Sequence, residues 1–238
     1  MPDQSFKKAS TLPPYIFGEI NSLKQKARHA GEDIIDFGMG NPDRETPKPI
    51  VEKLIETVQN PATHRYSQSI GLPKLRLAMS DWYLRKYNVS LDHENEIVTC
   101  MGSKEGIAHL CMATLSEGDN VLVQSPTYPV HTYGVVIAGA TVEPVTLIDD
   151  LESFLDQIKE KISRKKDKPK MLIINFPSNP TTITCNKAFF EELVNICKKN
   201  DIWIIHDLAY ADIAFDGYKA PSILELSLIN ISEPTRPR

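Results

Sequence analysis

The chain has 238 residues, 41% hydrophobic and 24% charged, and 27 basic against 31 acidic residues give a formal net charge of −4. This is ordinary globular usage with enough apolar content for a real core, which excludes disorder as the default and argues against a nucleic-acid partner, since that needs a basic face. The opening MPDQSFKKASTLPP has no apolar core of signal-peptide length and no run approaches the ~20 apolar residues of a membrane span, so a cytoplasmic protein without a membrane partner is expected.

Residues 1–13 read as an arm. Tyr15 to Ala30 is amphipathic, with Ile16, Ile20, Leu23 and Ala27 on one helical stripe and Gly31 suited to its C-terminal end. DIIDFGMGNPD reads as a short strand entering a glycine-bearing loop, and Pro47 and Pro49 open a helix over Ile50 to Val58. From Glu96 the rhythm changes. EIVTC, VLVQ, TVEPVT, KMLIIN and IWIIHD are short apolar runs, separated by helical patterns near 103–115, 128–139, 150–164 and 186–199. Strand alternating with helix implies parallel pairing and right-handed crossovers. KMLII and IWII are apolar nearly throughout, as strands covered on both faces are. The fold class expected is therefore α/β, a doubly wound, mostly parallel sheet. The basic run KEKISRKKDKPK, Lys159 to Lys170, reads as a solvated loop. Cys100, Cys111, Cys185 and Cys197 form no C-x-x-C pair, and none has a histidine at zinc-finger spacing; reduced thiols without a metal are expected.

Doubly wound sheets bind ligands at the carboxyl ends of their strands, which directs attention to four junctions. Gly102-Ser103-Lys104 follows a strand and opens a helix; its amides suit a phosphate, and capping by Ser103 is the plainer alternative. Asp207 ends the buried run Ile202 to Ile205. A carboxylate there needs a cationic or hydrogen-bonding partner, such as a protonated ring nitrogen, or else caps the next turn. Tyr128 and His131 lie three apart on one helical face. Tyr128 can lie flat on an aromatic ligand and His131 can hold Asp207 from behind, unless both are plain core or surface residues. Asn179-Pro180 offers an amide to a ligand oxygen, or is only a turn. No glycine fingerprint of a nucleotide fold is present.

Taken together, GSKEGIAHL, SPTYPVH, INFPSNPTT and HDLAYADI, with PPYIFGEINSLKQKARHAGEDIIDFGMGNPD and YSQSIGLPKLRLAMSDWY upstream, resemble the class I/II (fold-type-I) aminotransferases. The subgroup looks like the bacterial-type alanine, or glutamate–pyruvate, enzymes, with aspartate and LL-diaminopimelate aminotransferases as relatives. The resemblance implies pyridoxal phosphate as cofactor, an amino acid and a 2-oxo acid as substrates, and a homodimer. It implies that Asp207 pairs with the pyridine nitrogen, Tyr210 and Asn179 serve the phenolic oxygen, and Tyr128 stacks on the ring. Ser103 and Lys104 would form the phosphate turn, with His131 behind Asp207, Tyr66 reaching the neighbouring subunit's phosphate and Gly40 passing close to the substrate carboxylate.

The resemblance covers about Leu12 to Leu226. It divides the chain into an arm and small-domain segment (1–47), a partial cofactor-binding large domain (48–226) and a tail without likeness (227–238), expected to be an artefact of a sequence join. The lysine that would hold the cofactor covalently is expected beyond these residues: Lys219, the one lysine after Tyr210, matches a linker. The chain alone is therefore expected to be poorly soluble and inactive. Aspartate or LL-diaminopimelate transamination, or a non-catalytic shortened form, are the alternatives.

Overall fold

A computed structural model describes residues 10–38, 40, 43–148, 150–164 and 168–227. Within these the chain divides into two compact units, one spanning Pro13–Ser69 and one built from Ile70 onward. The tail beyond Ser227 and the first nine residues of the arm lie outside the described residues.

The first unit carries helix α1 (Ile16–His29) and helix α2 (Lys48–Val58). Gly31, at φ +78°, follows α1 in the left-handed region that its lack of a Cβ permits. Pro49 sits in the first turn of α2, where its missing N–H has no intrahelical acceptor to lose. DIIDF is not a strand: Ile35 and Phe37 are exposed, and the segment is pinned instead by Asp36, which accepts from Lys24 Nζ (3.0 Å) and Gly38 N (2.9 Å). Those bonds, Gly38 first, hold the Asp36 carboxyl below its usual value.

The second unit is the α/β sheet. Its elements are α3 (Pro73–Tyr87), α4 (Ser103–Thr114), β1 (Asn120–Ser125), α5 (Pro129–Ala138), β2 (Thr141–Thr146), α6 (Leu151–Ser163), β3 (Met171–Asn175), α7 (Lys187–Lys199), β4 (Trp203–Asp207) and α8 (Leu224–Ser227). The strands are all parallel, in the order β2-β1-β3-β4. The chain thus moves outward from β1 to β2, then crosses to the other side of β1. The direction reverses between β1 and β3, which is where such sheets open a ligand crevice at their carboxyl ends.

IWII of β4 is not buried as expected: it stands at the sheet's edge with Trp203 exposed. Both faces of β1 and β3 are covered. On one, Leu122, Leu172 and Ile174 meet Phe154, Ile158, Phe189, Phe190 and Leu193 of α6 and α7. On the other, Val121, Val123, Met171 and Ile173 meet Ile107 and Cys111 of α4 and Val135 of α5. The two-residue alternation of a strand accounts for the division. Helices α4 and α5 pack closely at Gly134, where a Cβ would come within 3.3 Å of Cys111 Sγ.

Two other expectations are corrected. EIVTC is not a strand: among the described residues it has no strand neighbour, its one ladder-like bond is Thr99 N to Ile70 O (3.1 Å), and Val98 is exposed. A short apolar run without a hydrogen-bonding partner strand does not make a strand. The basic run is not simply solvated either. Lys159 to Ser163 finish α6, and Lys159, Lys161, Arg164 and Lys170 meet Glu192, Glu143, Glu160 and Asp119 respectively at 2.7–3.0 Å. Lys165, Lys166 and Asp167 lie outside the described residues. Among the described residues no helix is long and apolar enough to cross a membrane, and all four cysteines are free thiols.

Candidate active site

The site is built where the sheet faces the α4 and α5 layer. Ile205 of β4 packs into the core on that side, so Asp207, two residues on, points the same way at the strand's end. Its side chain is only 9% exposed. Asp207 Oδ2 lies 2.9 Å from His131 Nε2, and Oδ1 accepts from Ala209 N at 3.2 Å. A carboxylate only accepts, so His131 is the donor here. The other nitrogen of that fully buried ring, Nδ1, is 2.5 Å from Thr127 Oγ1, which fixes the ring's orientation from the start of α5.

Burial by itself pushes the Asp207 carboxyl up. The hydrogen bond and charge of His131, the Ala209 N–H and His206 outweigh it, and the carboxyl sits below its ordinary value. Asp207 is thus a nearly enclosed carboxylate held ionised by His131 and Ala209, a form suited to meeting a cation with its remaining lone pairs.

Tyr128 precedes α5, with its ring edge-on to His131 at 6.2 Å between centroids. Lys104 Nζ lies 5.3 Å from the centre of the Tyr128 ring. Lys104 belongs to the first turn of α4, whose N-terminal amides have no acceptors within the helix. The cap there is Gly102, not Ser103: Gly102 is at φ +93°, and Ser103 is the first helical residue, with no side-chain cap bond. A glycine in that conformation leaves the helix mouth open to an anion, and a Cβ is disfavoured there.

The third wall is the segment after β3. Asn179 Nδ2 donates to Tyr210 Oη at 3.0 Å, which leaves the tyrosine's own proton to donate outward. Asn175 ties this pair to Asp207: its Nδ2 donates to Asp207 O (2.8 Å) and its Oδ1 accepts from Asn179 N (2.7 Å). The structure therefore joins Tyr128, His131, Asp207, Asn179 and Tyr210 through strand ends and short bonds, with Ser103 and Lys104 on the adjoining helix mouth. Gly40 and Tyr66 lie in the unit Pro13–Ser69, both exposed.

Sequence reasoning passed over Gln124, and it gave no role to Thr127, Asn175 and Ser178, although these lie in the strand-end junctions 125–128 and 175–180. The signal available was a polar residue closing an otherwise apolar strand, Gln124 in VLVQ and Asn175 in LIIN, both buried. His206 opens the fourth junction and was also given no role; its side chain faces the opposite layer, 4.9 Å between ring centroids from Phe190, with Nε2 3.1 Å from Phe176 O.

Burial holds the His206 ring down to about 4 from 6.5, against the opposing pull of Phe176 O and Asp207. The unfolded chain therefore takes a proton at this ring near pH 6.5 and the folded chain does not until about pH 4. Stability is full above pH 6.5 and drains as pH falls through that window, by about 3 kcal/mol at its lower end. Asp207 acts at lower pH, its contribution being lost as pH falls below the ordinary carboxyl value. Urea unfolding across this window is expected to show the slope, and His206→Gln, which keeps a donor for Phe176 O but cannot titrate, is expected to flatten it.

Comparison with known proteins places the chain in a family. The family model for class I and II aminotransferases matches residues 32–233, past the Leu226 limit expected from the motifs. The glutamate-pyruvate aminotransferase AlaC of Escherichia coli is 51% identical over 225 residues, 94% of this chain and 54% of that protein. The LL-diaminopimelate aminotransferase of Halothermothrix orenii is 42% identical over 90% of this chain and 55% of its own length. Among solved structures, the alanine aminotransferase of Pyrococcus furiosus superposes with a TM-score of 0.83 at 26% identity, covering 94% of this chain and 56% of that one. Substrate-bound BacF of Bacillus subtilis gives a TM-score of 0.78 at 31% identity, over 94% and 56%. The enzymes of this family and the solved structures that the chain resembles are pyridoxal-phosphate-dependent transferases. The chain belongs to the class I and II aminotransferase family. It spans about 55% of the length of the relatives it matches.

Proposed function

We propose that these residues form the cofactor-holding part of a cytoplasmic, homodimeric enzyme that moves an amino group from L-alanine to 2-oxoglutarate. The observation that carries the reading is Asp207, kept ionised at a strand end by His131 and Ala209, with Tyr128 beside it and the mouth of α4 on the adjoining element. The residues suit pyridoxal phosphate. Asp207 would hold the ring-nitrogen proton, Tyr128 would cover the ring face, and Asn179 and Tyr210 would donate to the phenolic oxygen. The amides of Ser103 and Lys104 would meet the phosphate.

When bound, the cofactor supplies a conjugated cationic ring that draws off the electron pair left as a substrate's Cα loses its proton. The chain's contribution is electrostatic and positional. Asp207 keeps the ring cationic. Tyr128 excludes water from its face. The Asn179–Tyr210 pair fixes its rotation in the plane. Gly40 and Tyr66 are proposed to serve the substrate carboxylate and the neighbouring subunit's phosphate.

Alanine is favoured by the 51% identity to a glutamate-pyruvate enzyme. A polypeptide of family length containing these residues is expected to form pyruvate from alanine and 2-oxoglutarate, with kcat/KM about tenfold or more above that for aspartate or LL-diaminopimelate. Higher kcat/KM with LL-diaminopimelate would reassign the substrate. Because Lys219, the one lysine after Tyr210, lies in a segment that resembles a linker of the family and not its cofactor-bearing lysine segment, the 238-residue chain by itself is expected to form no pyruvate.

A further inference from the structure

The β1–β3 ladder stops early. Its pairs run from Val121↔Met171 to Val123↔Ile173, while β1–β2 pairing continues to Ser125↔Thr146 and β3–β4 pairing to Asn175↔Asp207. The two central strands therefore part at the point where the chain reverses direction, which is also where a ligand crevice has to open. A parting of strands leaves backbone groups without ladder partners, and buried ones are costly unless a side chain replaces the ladder.

Gln124 does this. It is fully buried, and its Oε1 accepts from Asn175 N at 2.9 Å, in place of a backbone carbonyl of β1. Its Nε2 donates to Ser178 Oγ, also at 2.9 Å. Ser178 in turn closes the turn bearing Asn179: its N–H donates to Ile183 O (3.0 Å) and its carbonyl accepts from Thr182 N (2.8 Å). Asn175 passes the constraint to Asn179 N and Asp207 O. One carboxamide on β1 thus fixes two of the groups that face the proposed ligand, through one intervening residue on each arm.

We propose that Gln124 is a positioning residue: it holds β1 and β3 apart in register and, through Asn175 and Ser178, sets the Asn179 amide against Tyr210 at the cofactor's phenolic oxygen. The last clause rests on the function proposed above. An alternative carrier of the same constraint, packing alone, predicts that an apolar side chain of equal length serves as well.

The test uses the whole chain as Gln124→Met, which keeps length and volume and removes both hydrogen bonds, and as Ser178→Ala, which removes only the arm to the turn. Hydrogen exchange by mass spectrometry is followed over residues 176–183 and over β4 and α4. The ligand probe is deoxypyridoxine phosphate, which has the phenol, ring nitrogen and phosphate but no aldehyde. In both variants exchange over 176–183 is expected to rise about tenfold or more while β4 and α4 keep their protection. The probe's dissociation constant is expected to rise about tenfold, and its phenol absorbance to titrate about one pH unit closer to the free probe. Unchanged exchange over 176–183 in either folded variant overturns the proposal. So does a rise in exchange with probe affinity and titration unchanged, and so does loss of the whole fold in both variants, which would make Gln124 a plain core residue. Failure of the unaltered chain to bind the probe sinks the functional reading instead, and the exchange data then decide the role of Gln124 in placing the turn.

Discussion

Asp207→Asn is expected to weaken binding of deoxypyridoxine phosphate by about 100-fold while leaving the chain folded. The substitution keeps shape and volume, and the side chain is nearly enclosed. It removes the charge that would keep the ring nitrogen protonated, and a charge-assisted hydrogen bond of this kind contributes about 1.5–3 kcal/mol. An amide also has one acceptor oxygen where the carboxylate has two. Either His131 Nε2, now at 2.9 Å, or Ala209 N, at 3.2 Å, then loses its acceptor. That second loss falls on the fold, in the free and bound chain alike, whereas the upper part of the 1.5–3 kcal/mol range, about 2.7 kcal/mol, is the 100-fold quoted for binding. Fluorescence titration of the probe, with circular dichroism to confirm the fold, measures it. A change below about threefold would mean that the ligand does not use this carboxylate.

The second large effect is on stability. Phe190→Ala is expected to cost about 3–5 kcal/mol, the range for emptying a buried aromatic site. Phe190 is fully buried, and its ring meets Phe176, Phe189 and His206 at centroid distances of 6.1, 5.7 and 4.9 Å. Typical domains hold only about 5–15 kcal/mol in total, so the variant is expected to unfold at far lower urea. The cavity would also open beside His206, whose low proton affinity comes from burial. The variant should therefore lose part of the stability slope between pH 6.5 and 4, because the folded ring would accept its proton earlier. A loss below about 1 kcal/mol would show that neighbouring rings close the gap.

The central strands β1 and β3 were legible because they are buried on both faces. LIIN and WIIHD had no polar alternation to mislead, and the helices between them kept a 3.6-residue apolar period. EIVTC and DIIDF have the same kind of composition, yet Val98 and Phe37 are exposed. Strand propensity is a statement about neighbours, and composition does not carry the neighbours. The site was legible at Tyr128, Asn179, Asp207 and Tyr210 because each interrupts a strand end or helix start with a group that needs a partner. The roles of Gln124 and Asn175 were not, because their partners lie 51 to 54 residues away in sequence, or on the next strand, and only the parting of β1 from β3 shows why polar side chains belong there. The helix mouth illustrates a smaller gap. The pattern Gly-Ser-Lys left a serine cap open as an alternative to a phosphate turn, whereas Gly102, at φ +93°, is the cap and Ser103 makes no cap bond.

The most direct test is the chemical shift of the ring nitrogen in isotope-labelled deoxypyridoxine phosphate bound to the chain, recorded at a pH where the free ring has lost that proton. A carboxylate held ionised by His131 predicts a pyridinium shift for the bound ring, reverting to the neutral-pyridine shift in Asp207→Asn. A neutral-pyridine shift in the bound complex of the unaltered chain would contradict the assignment of Asp207, and with it the account of the site.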